Sequence, residues 1–101
     1  MSGFDPQCVF CAILHGDKPA RVVWRDAETI AFLDQRPHFP GHVLVVPSIH
    51  VETLGELTAE RLAPLMAVVQ AASRAVESGL GAQGSFMAVN NRISQSVPHV
   101  H

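Results

Sequence analysis

The sequence predicts an α+β domain, in which an antiparallel sheet of about five strands is covered by one long helix. Three observations point to it. Short β-rich runs at residues 21–25, 28–34 and 42–46 alternate with turn residues in the first half. From about residue 59 to residue 78, apolar side chains recur at three- and four-residue steps, the period of a helix. Beyond that, residues 86–90 and 97–101 return to strand composition. One helix face and one sheet face then bury each other in a layered core.

Each element follows in order. A short N-terminal helix is expected within residues 4–16, with Asp5 as its cap, Pro6 in its first turn and Gly16 at its end. Arg21-Val22-Val23-Trp24-Arg25 and Glu28-Thr29-Ile30-Ala31-Phe32-Leu33-Asp34 read as strands joined by a polar turn at Asp26-Ala27. Arg36-Pro37-His38-Phe39-Pro40-Gly41 is a rigid loop, and His42-Val43-Leu44-Val45-Val46 is a buried strand ended by Pro47. In the long helix, Leu62, Leu65, Met66, Val69, Ala72, Val76 and Leu80 share one face. Thr58 caps it, Gly79 and Gly81 end it, and Pro64 either kinks the first turns or marks a later start.

With 101 residues, 48% hydrophobic and 16% charged, the chain suits one globular domain, free of repeats and linkers. A net charge of −2 argues against a nucleic-acid duplex as partner, yet a small anion needs only a few local donors. No apolar run is long enough to span a bilayer. Met1-Ser2-Gly3-Phe4-Asp5 lacks the basic start and apolar stretch of a signal peptide, so the expected location is the cytoplasm. Cys8 and Cys11 are then expected as reduced thiols, open to a metal.

The chemistry gathers at the end of the chain. In an extended strand, His99 and His101 point to one face about 6.6–6.8 Å apart. They follow a donor-rich run, Asn90-Asn91-Arg92-Ile93-Ser94-Gln95-Ser96, suited to holding a phosphate.

Cys8-x-x-Cys11, Asp34, Gly41-His42-Val43-Leu44-Val45-Val46-Pro47 ending in His50, and Gln95-Ser96-Val97-x-His99-x-His101 together resemble the histidine triad (HIT) family. The resemblance runs from Cys8 to His101, in the family's order and spacing, and is nearest its Hint-like branch. It implies a HIT-like fold and a single HIT domain over residues 1–101. The family pattern is His-φ-His-φ-His, so the third histidine and the C-terminal end of the domain are expected to be missing. Natural termini rarely fall inside a central strand, where backbone groups would be left unpaired. The segment between Asn90 and Gln95 is also shorter and poorer in glycine than in many members, which implies a stiffer phosphate loop.

By that resemblance, His101 is the nucleophile of a nucleotidyl-histidine mechanism, and His42 supports the active centre. Gln95, Ser96 and Val97 lie on the phosphate side, and Asn90 lies at the rim. Asp34 hydrogen-bonds the ribose, against the alternative of a loop carboxylate closing a turn. Phe10, Ile13 and Phe32 form the apolar slot for a base, with plain core packing as the alternative. Cys8, Cys11, His50 and His99 match the set that holds structural zinc in some members. The cysteines could also be buried small residues or a redox pair, though no thioredoxin-like pattern surrounds them. His15 and His38 read as solvated, and Asp5, Asp17, Glu52, Glu56, Glu60 and Glu77 as exposed charge.

The expected function is a HIT-family nucleotide hydrolase or transferase, cleaving at the α-phosphate of purine nucleotide derivatives of the phosphoramidate type. Alternatives are a dinucleoside polyphosphate hydrolase and a non-catalytic nucleotide- or zinc-binding module. A carboxylate on the nucleophile itself would repel phosphate, so weak or no turnover is expected from residues 1–101. The family also implies a homodimer, and the lack of a spanning apolar run gives the expectation of no membrane partner.

Overall fold

Helix α1 (Val9–His15) is short and closed at both ends by local bonds. A computed structural model describes residues 4–101. The signal-peptide expectation falls partly on residues 1–3, outside the described residues. Cys8, not Asp5, caps α1: its backbone is extended and its sulfur accepts from the Cys11 N–H at 3.4 Å. Asp5 instead shapes the preceding turn. Its carboxylate accepts from the Gln7 N–H at 2.9 Å, and its carbonyl from the Cys8 N–H at 3.0 Å. Gly16 ends the helix at φ 85°, a left-handed conformation that glycine adopts without a Cβ clash. The Arg25 guanidinium donates to the Leu14 carbonyl at the same end.

The sheet runs β1 (Val22–Arg25), β2 (Thr29–Leu33) and β3 (Val43–Pro47), antiparallel in that order. Asp26 makes the first turn, its carboxylate accepting from the Glu28 and Thr29 N–H groups at 2.8 and 2.9 Å. Register places Ile30 opposite Val46 and Phe32 opposite Leu44. Ile30 and Phe32 therefore share a face, and with Val46 they bury Cys8, Phe10, Cys11 and Ile13 of the α1 region. Thr29 and Ala31, on the other face of β2, are buried too. β1 is the edge strand, bulged between Val22 and Trp24, and exposed throughout.

Helix α2 (Ala59–Leu80) packs against β3 and β2. A 3₁₀ turn at Leu54–Glu56 leads into it, with the Thr53 N–H and hydroxyl both donating to the Glu56 carboxylate. Pro64 lies inside the helix without delaying its start: i→i−4 bonding already begins with the Leu62 N–H on the Thr58 carbonyl at 2.9 Å, and Pro64 has no N–H to offer the Glu60 carbonyl. The helix runs through Gly79, and Gly81 closes it at φ 67°. Its inner line is Leu65 and Val68, whereas Met66 and Leu80 are exposed. Leu62, Val69, Ala72 and Val76 of the expected face are half-buried along the same line, so the face lies where the period puts it, with Val68 added to it.

Among the described residues three strands form, not about five. Residues 86–90 and 97–101 are not in strands among the described residues; Phe86 is 91% exposed. The last segment is held to the body by the Val100 N–H donating to the Val51 carbonyl at 2.8 Å, and bends locally through His99 N–H to Val97 O. β-rich composition favours extension, but a strand also needs a repeating ladder with a neighbouring edge, and an isolated bond is not one.

Gly41 precedes β3 at φ 87°, and a Cβ there would come within 2.7 Å of Leu80 Cδ1. The end of α2 therefore rests on the turn that delivers His42.

Candidate functional site

Two cysteines three apart around the N-cap of a short helix point their sulfurs the same way. Here both meet imidazoles. Cys8 Sγ lies 3.4 Å from His99 Nδ1, and Cys11 Sγ lies 3.3 Å from His50 Nδ1 and 3.7 Å from His99 Nδ1. The two Nδ1 atoms are 3.2 Å apart, and all four donor atoms fall within 4.8 Å of one another. In tetrahedral zinc coordination the donor-to-donor edges are about 3.3 Å for N···N and about 3.6 Å for S···N. The observed spacings follow those edges, and sulfur with imidazole is the donor chemistry zinc prefers, so the residues fit zinc.

Outer contacts aim the two rings. His99 Nε2–H donates to the Pro47 carbonyl at 2.9 Å, which leaves Nδ1 as the free lone pair. His50 turns its Nε2 toward the Asp5 carboxylate at 3.7 Å. Asp5, read from the sequence as ordinary surface charge, is thus the acidic neighbour of the cluster. Its place three residues before Cys8 is the only hint the sequence offers.

Burial sets the protonation. Desolvation pushes the Cys11 thiol up to about 11, with Cys8 adding to the effect. Desolvation also pushes His99 down to about 4; His50 and His101 lower it further, against the opposing bond to Pro47. The His99 ring is therefore a neutral donor at neutral pH, as metal ligation requires.

Next to this cluster stands His101, half-buried, whose Nδ1–H donates to the His99 carbonyl at 2.8 Å. That bond leaves Nε2 as its lone-pair nitrogen. The ring lies 5.0 Å from that of Phe10, and Phe10 lies 5.5 Å from Phe32. Two residues beyond Phe32, Asp34 places Oδ2 3.3 Å from His42 Nδ1, and its Oδ1 accepts from the Arg36 N–H at 3.1 Å. His38, exposed, stacks loosely on His42 at 6.4 Å.

The expected residues thus fall into groups. Cys8, Cys11, His50 and His99 converge; Phe10 joins His99, His101 and Phe32; Asp34 pairs with His42. Phe10, Ile13 and Phe32 are buried in the core. Val97 packs against the same core, and Ser96 is exposed. Gln95 and Asn90 brace the loop from within. Gln95 donates to the Glu52 carbonyl at 2.6 Å and accepts from the Arg92 N–H at 2.7 Å, and Asn90 donates to the Ser94 carbonyl at 3.1 Å. Arg92 and Ser94 both have positive φ, so this loop is tightly coiled. Glu52, Glu56 and Glu77 are engaged too, with Arg92, Thr53 and Ser85 respectively.

Fold and site define a small α+β domain with a soft-donor cluster in its core and a histidine pair alongside. A family model described as "HIT domain" matches residues 15–101. The chain belongs to the HIT family. An uncharacterised HIT-like protein of Mycobacterium tuberculosis is 38% identical over 96 residues, covering 93% of this chain and 67% of its own length. The adenosine 5′-monophosphoramidase of Schizosaccharomyces pombe is 36% identical, with 93% of this chain and 69% of its own length covered. A zinc-bound histidine triad family protein from Mycobacterium smegmatis superposes with a TM-score of 0.87 at 40% identity, covering 94% of this chain and 70% of that one.

Proposed function

We propose that this protein is a nucleotide hydrolase that cleaves purine nucleoside phosphoramidates at the α-phosphorus, with His101 as nucleophile. The observation that carries the reading is the 2.8 Å bond from His101 Nδ1–H to the His99 carbonyl, which leaves the Nε2 lone pair for attack. In the first step Nε2 attacks phosphorus, the P–N bond to the leaving amine breaks, and the amine departs with the electron pair and a proton taken from solvent, which the later hydrolysis of the adduct returns. Water then attacks the nucleotidyl-histidine, releasing the nucleoside monophosphate and restoring the imidazole.

Asp34 accepts from the ribose hydroxyls, and His42 beside it holds that carboxylate in place. Phe10, Ile13 and Phe32 supply the apolar wall for the base. The backbone N–H groups of residues 95–97 and the exposed Ser96 hydroxyl are the donors for the phosphate, with the Gln95 side chain bracing the loop behind them. Cys8, Cys11, His50 and His99 hold zinc, which supplies a structural cross-link between α1 and the last segment. The phosphoramidase relative in Schizosaccharomyces pombe supports the choice of substrate.

The protein acts as a homodimer in this reading. The exposed apolar side chains on and beside α2, Met66, Leu80 and Met87, support it. Light scattering at micromolar concentration should give twice the monomer mass. No helix of the described residues is long and apolar enough to cross a membrane.

The test of mechanism is to incubate the protein with excess adenosine 5′-phosphoramidate long enough for adduct to build up at the weak turnover expected of residues 1–101, quench in alkali and map the adduct by mass spectrometry. An adenylyl mass on His101, absent in His101→Gln, is the expected result. Unmodified His101 with continuing product formation removes the nucleophile assignment.

A further inference from the structure

Phe10 is where the two halves of the site touch. It stands on α1 between Cys8 and Cys11 and is buried. Its ring meets three others at steep angles: Phe32 at 5.5 Å and 70°, His99 at 5.9 Å and 68°, and His101 at 5.0 Å and 84°. Such edge-to-face contacts are attractive and directional, because the positive rim of one ring meets the negative face of another.

His101 has two restraints. Its Nδ1 is tied to the His99 carbonyl, and its ring stands against Phe10. The terminal torsion of histidine has a broad energy well, so a single hydrogen bond leaves the imidazole plane free to rock. The second contact sets the plane. Both restraints begin at the sulfur–imidazole cluster: His99 is one of its donors, and Phe10 follows directly on the turn that presents both sulfurs.

We infer that Phe10 is a positioning residue for His101, carrying the state of the Cys8–Cys11 turn to the plane of the imidazole. Gathering the four donors on a cation pins α1 to His50 and His99 and seats Phe10 against His101. Without the cation the turn is held by its cap bonds and packing alone, and the ring's stop is looser. The inference rests on His101 as the attacking group and names what aims it. It also differs from a wall of the base slot, which would act on nucleotide affinity alone.

The test uses the 101-residue protein with ¹³C,¹⁵N-labelled histidine, freed of metal and titrated with zinc alone. In the wild type, zinc should raise the order parameter of the His101 ring C–H bonds, as rocking of the plane stops. In Phe10→Leu, which keeps the apolar bulk, zinc should still bind one to one while the His101 ring stays as mobile as without metal. An equal rise in both proteins overturns the inference. A wild-type ring indifferent to zinc overturns it as well, and that arm needs no variant to fold. A ring that locks through Phe10 but never carries a nucleotide keeps the positioning and removes only the nucleophile reading.

Discussion

His99 and Pro47 share a buried hydrogen bond of 2.9 Å, from the imidazole Nε2–H to the carbonyl at the end of β3. The bond fixes the tautomer of a fully buried ring and ties the last segment to the sheet.

Acid should weaken the metal-free protein through this ring. Burial holds His99 at about 4 in the fold, against about 6.5 when unfolded. Above pH 6.5 both states are neutral and the stability is complete. As pH falls below 6.5 the unfolded chain takes up a proton that the folded ring refuses until about 4. Stability is lost across that window, by roughly 3 kcal/mol in all. Asp26 and Glu56 are held below the usual carboxylate range by bonds from Trp24 and Thr53, so their contributions fade only in stronger acid. Urea midpoints at pH 7, 6 and 5 should fall steadily; a flat series contradicts the burial argument.

Zinc loading should release protons. A Cys11 thiol pushed up to about 11 must lose its proton to become a ligand. Calorimetry at pH 7 in buffers of different ionisation enthalpy should register at least one proton per zinc. Cys11→Ala should weaken zinc binding by roughly a hundredfold or more.

Asp34→Asn keeps an oxygen for the Arg36 N–H and removes the charge. Affinity for adenosine monophosphate should fall by about tenfold or more, the worth of a charge-assisted hydrogen bond. The thermal midpoint should stay within a few degrees. Equal affinity in the two proteins would take Asp34 out of ribose recognition.

Gly41→Ala should lower stability by about 1–2 kcal/mol, because alanine resists a φ of 87°. The close atom, Leu80 Cδ1, is the tip of an exposed side chain and can move. Adding Leu80→Ala should therefore restore little. Full recovery in the double variant would put the cost in the contact and not in the backbone.

Thr29→Val should stabilise the fold by about 1 kcal/mol, since the buried Oγ1 has no hydrogen-bond partner among the described residues. Denaturant unfolding measures it directly.

The parts legible in the sequence are those governed by local pattern. β2, β3 and α2 announce themselves through β-branched runs and helical periodicity, and C-x-x-C announces two thiols on one turn. What was not legible depends on tertiary partners. Asp5 looks like a cap until the Cys8 sulfur takes that place and Asp5 turns toward His50. Val68 lies off the line that the helical period picks out, and the contact of α2 with β2 and β3 buries it. Gln95 looks like a phosphate donor, and its side chain is found between Glu52 and Arg92. The final two runs have strand composition, but pairing is a property of the neighbour as much as of the run.

Trp24 is the lone indole of the chain, half exposed on the edge strand, with its N–H on Asp26 at 2.9 Å. Intrinsic fluorescence therefore watches the β1–β2 hairpin from a wet position. Its emission should shift little when the core melts, and quenching by acrylamide should be efficient in the native protein. Fluorescence titrations aimed at the histidine cluster would need an indole placed elsewhere, and Trp24→Phe would supply a dark background for it.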